Sequence, residues 1–225
     1  LKTLDARELV TYRKLKEFQK NPIHDTDSLR DKIWSCSDLS NETKTIEEIN
    51  NLYPYIEPAE DISEFNKIRK LIHSFEWVAS PGRLMRLYVK DKPTDKILGV
   101  ITIASELMSI GVRDEFIGWD NNMKMNLKKI NHSAVGSSIV GVQPFGYNFL
   151  GGKLIACMAT SPKVRQLWKE RYGDNLISLT TTSLFGSFSM YNNIPLWKKL
   201  GSSEGKIILK PDDEIYGFWK DWFRD

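Results

Sequence analysis

The stretch YNFLGGKLIACMATS, Tyr147 to Ser161, decides how this chain is read. Two adjacent glycines, Gly151 and Gly152, stand directly before a helical run that Lys153 opens. Two meanings are open. A Gly-rich turn at a helix N-terminus presents unpaired amides and the positive end of the helix dipole to an anion. The same letters also make a tight strand-to-helix turn with no ligand. Upstream, SSIVGVQPF (137–145) reads as a buried strand. Downstream, GKLIACMATSPKVRQLWKERYG reads as helix, interrupted at Ser161-Pro162, where proline suits a fresh helix start. NLISLTTTS (175–183) is the next strand.

Further out, RLMRLYVKD alternates in hydropathy and KILGVITIAS is nearly continuous in apolar residues. Joined by KPTD, they predict a β-hairpin. ELMSIGVRDEFIGWDNNMKMNLKKI follows as a polar and aromatic insertion, with a helix predicted from about Asn121. Residues 1–80 read as a mainly helical region. One helix covers 2–20 and another begins near Asp27. A third has Thr45 and Glu48 spaced as a capping box. A fourth carries the stripe Ile62, Phe65, Ile68, Leu71, Ile72 and Phe75. After 183 the sequence predicts a loop and short helix closed by Gly201, then a last strand and a C-terminal tail. Helices leading into an antiparallel hairpin, then one strand–helix–strand unit, indicate an α+β fold. The division expected is a helical region over 1–80 and an α+β domain over 81–225.

Composition excludes several classes. The 225 residues are 41% hydrophobic and 27% charged, ordinary for a globular protein. A net charge of +3 permits nucleic-acid contact without the basicity of a DNA-packaging protein. No apolar run reaches the roughly 18 residues of a membrane span, and no secretory signal opens the chain. Cys36 and Cys157 lie far apart, which gives neither metal spacing nor a disulfide framework. A cytoplasmic protein with two reduced thiols is expected. There is no nucleophile elbow, Walker loop or metal-binding cluster.

Two resemblances sharpen this reading. From the strand at 139–145 to Gly201 the layout resembles the core of the GNAT acyltransferases, with a mixed central sheet flanked by helices. That family's Gly-rich turn holds the pyrophosphate of acetyl-coenzyme A. The equivalent window here is NFLGGK, so the resemblance implies Asn148, Gly151, Gly152 and Lys153 as cofactor-binding residues. The donor would be acetyl-coenzyme A or another acyl- or phosphate-bearing molecule. PLWKKLG (195–201) is similar to the family's Leu-Tyr-x-x-x-Gly segment, with Trp197 in place of the tyrosine that acts as general acid. Tyr191 is the nearby phenol that could take that role. A second resemblance covers roughly Leu84 to Ile208. RDEFIGWD (113–120), LWKERYGDNLISLTTTSLFGS (167–187) and YNNIPLWKKLG (191–201) look like the Druantia A protein family, a component of a bacterial anti-phage system. IGWD and RYG are the most telling segments. The phage DNA-modification protein Mom is similar in layout at a greater distance.

The candidate residues each have a plainer alternative. Glu115 and Asp120 sit beside an aromatic cluster, where carboxylates can act as general bases; Asp120 equally suits the cap of a helix from Asn121. Trp119 could stack on a nucleobase or plug the core. His132 follows two lysines and could touch a phosphate, or be a bystander on a loop. Thr180, Thr181, Thr182 and Ser183 form the most polar strand end and could turn hydroxyls toward a cleft, although threonine is also simply at home in strands. Arg165 and Lys169 share a helix face, as a phosphate-tracking surface or a solvated one.

Two functional classes follow. One is a GNAT-like transferase acting on DNA or another nucleic acid in a phage or anti-phage setting. In it the Asn148–Lys153 turn binds an anion, Glu115 or Asp120 is the base, and Tyr191 or Ser183 sits at the reaction centre. The other is a non-catalytic nucleic-acid-binding or assembly component of a phage or defence complex, which two departures from the GNAT pattern favour: Trp197 in place of the tyrosine, and Lys153 where that family's turn usually has a small residue. Neither involves a membrane.

Overall fold

The computed structural model describes residues 26–73, 82–143, 145–148, 151–182 and 189–201. Its centre is a five-stranded sheet in the order β1-β2-β3-β4-β5, with β1 at Pro54–Pro58, β2 at Leu84–Asp91, β3 at Ile97–Ser105, β4 at Ser133–Gly141 and β5 at Ser178–Thr180. The first four strands are antiparallel to their neighbours, and β5 runs parallel to β4. The predicted hairpin is present as β2 and β3. β3 is buried along almost its whole length, in keeping with its unbroken apolar run.

Alternation assigns the two faces. Leu87 pairs with Ile101 and Val89 with Gly99 on one face. There helix α6, Gly151–Ala159, lies so close that a Cβ on Gly99 would stand 2.6 Å from Ile155. Tyr88 points to the opposite face. It meets Phe65 of helix α3, Ile62–Ile72, with ring centroids 5.3 Å apart. The same helix sends buried Arg69 to Ser138 of β4, Nε to Oγ at 3.0 Å. Helix α3 begins at Asp61, whose carboxylate accepts from the Ser63 and Glu64 amides at 2.8 and 3.0 Å.

The remaining helices are α1 (Thr26–Asp31), α2 (Glu42–Asn50), α4 (Gly111–Ile117), α5 (Phe145–Asn148) and α7 (Pro162–Tyr172). Pro162 opens α7 and Gly173, with φ of 79°, ends it. Trp168 of α7 is fully buried, its ring 4.6 Å from Tyr172.

Several local expectations change. The strand β1 lies within the region read as helical. Two prolines frame it, and its inward set is short: Ile56 alone is fully buried, so no alternating pattern stood out. Helix α2 is capped by Asn41, which accepts from the Lys44 amide at 3.0 Å, and not by Thr45. Thr45 is inside the helix, and its hydroxyl donates to the Asp38 carbonyl. Within the 106–130 insertion the regular helix is α4. From Asn122 to Asn126 there is only a single π-helical turn, followed by a 3-10 turn at Lys129–His132. Strand pairing of β5 stops at Thr180. Residues 189–201 form turns, and the described part of that segment contains no helix. The helix expected over 2–20 and the last strand and tail lie outside the described residues. Cys36 is buried and Cys157 exposed, and both are free.

Candidate functional site

The sheet opens between β4 and β5. Their parallel pairing spans three residue pairs, Ser133–Ser178, Ala134–Leu179 and Val135–Thr180. Just beyond, the β3–β4 register shifts between Thr102 and Ile103, so Ser137 is an extra residue in β4. A bulge bends a strand and ends regular pairing with its neighbour. The space beside this opening is a cleft of about 860 Å³. Its floor is β5 and its continuation through Thr182. One wall is α4, through Val112, Phe116 and Ile117. The other is the 189–201 segment, through Tyr191, Leu196 and Trp197. Arg165 of α7 and the sequence neighbours Lys198 and Lys199 also line it. No carboxylate is among the described residues that line it.

Trp197 is held from both sides. Its indole Nε1 donates to the Ala156 carbonyl of α6 at 3.0 Å, and its ring packs on Tyr191 at 4.5 Å. Burial pushes the Tyr191 phenol up, against the opposing effect of a hydrogen bond with Thr181. The phenol is therefore protonated at neutral pH and can donate. The Thr181 hydroxyl also donates to the Gly136 carbonyl at 3.1 Å. Lys198 spans the walls, its ammonium 4.2 Å from the centroid of the Phe116 ring.

Beneath α4 lies a chain of buried charges. Glu106, at the end of β3, has its carboxylate fully enclosed. It accepts from the Ser133 hydroxyl at 2.5 Å and from the Thr180 hydroxyl at 2.8 and 2.9 Å. Arg113 Nη1 reaches the same carboxylate at 3.1 Å and the Leu107 carbonyl at 2.8 Å. Arg113 Nε then donates to Asp114 at 2.8 Å, and Lys124 donates to the other Asp114 oxygen at 2.6 Å. The Trp119 ring covers the guanidinium at 5.4 Å. This network joins α4 and the π-helical turn to the strands at the cleft floor.

Burial pushes the Asp114 carboxyl up, but its bonds to Lys124 and Arg113 outweigh that and hold it below the ordinary carboxylate value. A depressed folded-state value stabilises the fold above the unfolded value of about 4 and ceases to do so as pH falls through the folded one. The urea midpoint of the wild type should therefore exceed that of Asp114→Asn at neutral pH, and the gap should narrow below about pH 4. A gap that stays constant down to about pH 3 would contradict this assignment.

The candidates read from the sequence divide accordingly. Tyr191 and Arg165 line the cleft. Glu115 is exposed on α4 and is not among the lining residues. Asp120 accepts from the Met123 amide at 2.7 Å and caps the π-helical turn, the structural role weighed for it. Trp119 is half-buried over Arg113. His132 Nδ1 lies 3.0 Å from the Asn175 carbonyl. Lys169 is exposed on α7, outside the described lining. Gly151 is buried, with the space a Cβ would need filled by Phe145 at 2.3 Å. Gly152 faces Met190, and Lys153 donates its ammonium to the Asn192 carbonyl. These groups are engaged within the chain and lie outside the described lining of the cleft. Asn148 is the last residue of α5, and Ser183 lies outside the described residues. Glu106 and Lys124 were not singled out from the sequence. The available signal was an acid directly ending an apolar strand, a position that demands a partner once buried.

The fold and cleft define an α+β protein whose mixed sheet opens at one parallel edge. The family model described as Druantia protein DruA matches residues 3–224, and the chain belongs to that family. The resemblance read from IGWD and RYG is thus borne out. Druantia protein DruA of Escherichia coli (strain UMEA 4076-1) is 30% identical over 161 residues, covering 64% of this chain and 39% of that protein. The chain therefore spans about two fifths of that relative's length. No solved structure matches it.

Proposed function

We propose that this protein is a nucleic-acid-binding component of an anti-phage defence complex, with the cleft beside β5 as its contact. The defence setting rests on membership of the Druantia family. One observation carries the contact: Arg165, Lys198 and Lys199 converge on a single cleft with a hydroxyl-bearing floor, and its described lining holds no carboxylate. Such a surface favours a polyanion.

A second reading, a GNAT-like transferase acting on nucleic acid, is favoured by the strand geometry. The parallel β4–β5 pair separates after three residues next to a bulge, and a protonated Tyr191 faces the opening. At the Gly151–Lys153 turn, Phe145 fills the space beside Gly151 and the Lys153 ammonium is bonded to the Asn192 carbonyl. The transfer reading is supported by the strands and Tyr191.

Short DNA should raise the melting temperature by mass action, by about 2.7 kcal/mol of added stability at a hundredfold excess over Kd. The shift should shrink as salt rises from about 50 to 200 mM. Absence of any shift, together with no binding by fluorescence anisotropy, sinks the nucleic-acid reading. A separate shift with acetyl-coenzyme A would favour transfer over binding alone.

A further inference from the structure

We infer that the cleft receives an unpaired strand, with a base laid against Phe116 and its phosphates held by Arg165, Lys198 and Lys199. The inference rests on the nucleic-acid reading above and adds which form of nucleic acid the site takes.

Three features carry it. The cleft is walled on two sides, and the walls meet. Lys198 sits over Phe116, and Gly201 lies so close to Val112 that a Cβ there would be 3.2 Å away. A duplex hides its base faces within the stack and offers a groove edge or a phosphate ridge. A flat ring enters a two-walled slot only when unstacked. Next, the apolar surface at the slot is open: Phe116 is 55% exposed, Leu196 74% and Ile177 77%. Each lines the same cleft, as do exposed Val112 and Ile117, so five exposed apolar side chains share this one depression. A phenyl face beside a cation is the pairing that stacks a base of any sequence next to its phosphate. Finally, the cations come from two separate pieces of chain, α7 and the 189–201 segment, and both line the same cleft as the apolar surface. Cations from two elements around an apolar, hydroxyl-bearing cleft suit a strand whose bases meet the apolar surface and whose phosphates meet the arginine and lysines.

The test uses the full chain and three labelled probes in anisotropy titrations: a single-stranded DNA oligomer, RNA of the same sequence, and the DNA duplex. The single strands should bind about tenfold more tightly than the duplex. DNA and RNA strands share the chemistry argued here, and the tighter of the two names the source. Phe116→Ala should weaken single-strand binding about tenfold with the salt dependence unchanged. Lys198→Ala with Lys199→Ala should lower the salt slope by roughly one per lysine. These side chains are exposed, and an unaltered melting temperature in each variant establishes that the fold is kept. Duplex binding equal to or tighter than single-strand binding overturns the inference while leaving the nucleic-acid reading standing. So does an unchanged affinity in Phe116→Ala. Failure of all three probes overturns both.

Discussion

Replacing Arg113 with methionine should destabilise the protein by about 3–5 kcal/mol. The guanidinium is 1% exposed, and its partners Glu106 and Asp114 have side chains 0% and 13% exposed. Methionine approximates the volume of the stem, so packing survives in outline. What is lost is the compensation of two carboxylates, one of them fully enclosed. Glu106 keeps the hydroxyls of Ser133 and Thr180 but no cation. Asp114 keeps Lys124. Desolvated charge without a partner is the expensive condition, far more than the absence of a bond. The urea midpoint measures the effect, and Arg113→Met combined with Glu106→Gln should recover part of it because the uncompensated charge goes with its partner. A loss below about 1 kcal/mol in the single variant would show that water reaches Glu106 and would refute the network as described. The same variant should loosen α4, and with it the Phe116 wall, so nucleic-acid binding should weaken in parallel.

Gly151→Ala is the second large effect, about 3 kcal/mol or more. A Cβ at that position would fall 2.3 and 2.4 Å from two ring carbons of Phe145 and 2.7 Å from its carbonyl oxygen. The ring cannot easily retreat. Phe145 is 2% exposed and packs edge-on against Trp34 at 5.3 Å. Overpacking of that kind forces side chains off their rotamers or shifts the backbone. Gly111→Ala is the matched control. Nothing lies within 4 Å of its would-be Cβ, and it begins a helix, so the change should be neutral or stabilising by up to about 1 kcal/mol. Thermal melting of the two variants side by side distinguishes a glycine needed for close packing from one kept for backbone freedom. If Gly151→Ala melted with the wild type, the close packing at this turn would be disproved, and a ligand-binding role for Gly151 would regain ground.

The chain's own letters carried much of the architecture. The unbroken apolar run of 97–105 and the alternation of 84–91 were legible as a buried hairpin. Pro162 and Gly173 bounded α7 as punctuation should. Asp120 was legible as a helix-capping residue, and its carboxylate does accept from the Met123 amide. The family was legible too, from short segments whose aromatic and glycine spacing few other sequences share. The strand β1 was harder, because proline at both ends and one fully buried residue leave almost no period to detect. Local signals of this kind survive because they depend on backbone preference and on neighbours a few residues away.

The candidate site was legible only in part, since its parts are far apart in sequence. Glu106 reaches Thr180 across 74 positions, and Lys198 meets Phe116 across a comparable distance in the chain. No window of sequence contains either pairing. The motif that drew most attention, Gly151 to Lys153, is drawn into the fold by Phe145, Met190 and Asn192. The sequence by itself determined the α+β class, the hairpin, the limits of α7 and the family, because hydrophobic period and turn chemistry are local. Only the tertiary structure decided which acids are buried partners, which glycine is filled from behind, and where cations gather beside an open aromatic ring. Those outcomes depend on desolvation and on contacts that exist only once distant strands and helices are packed together.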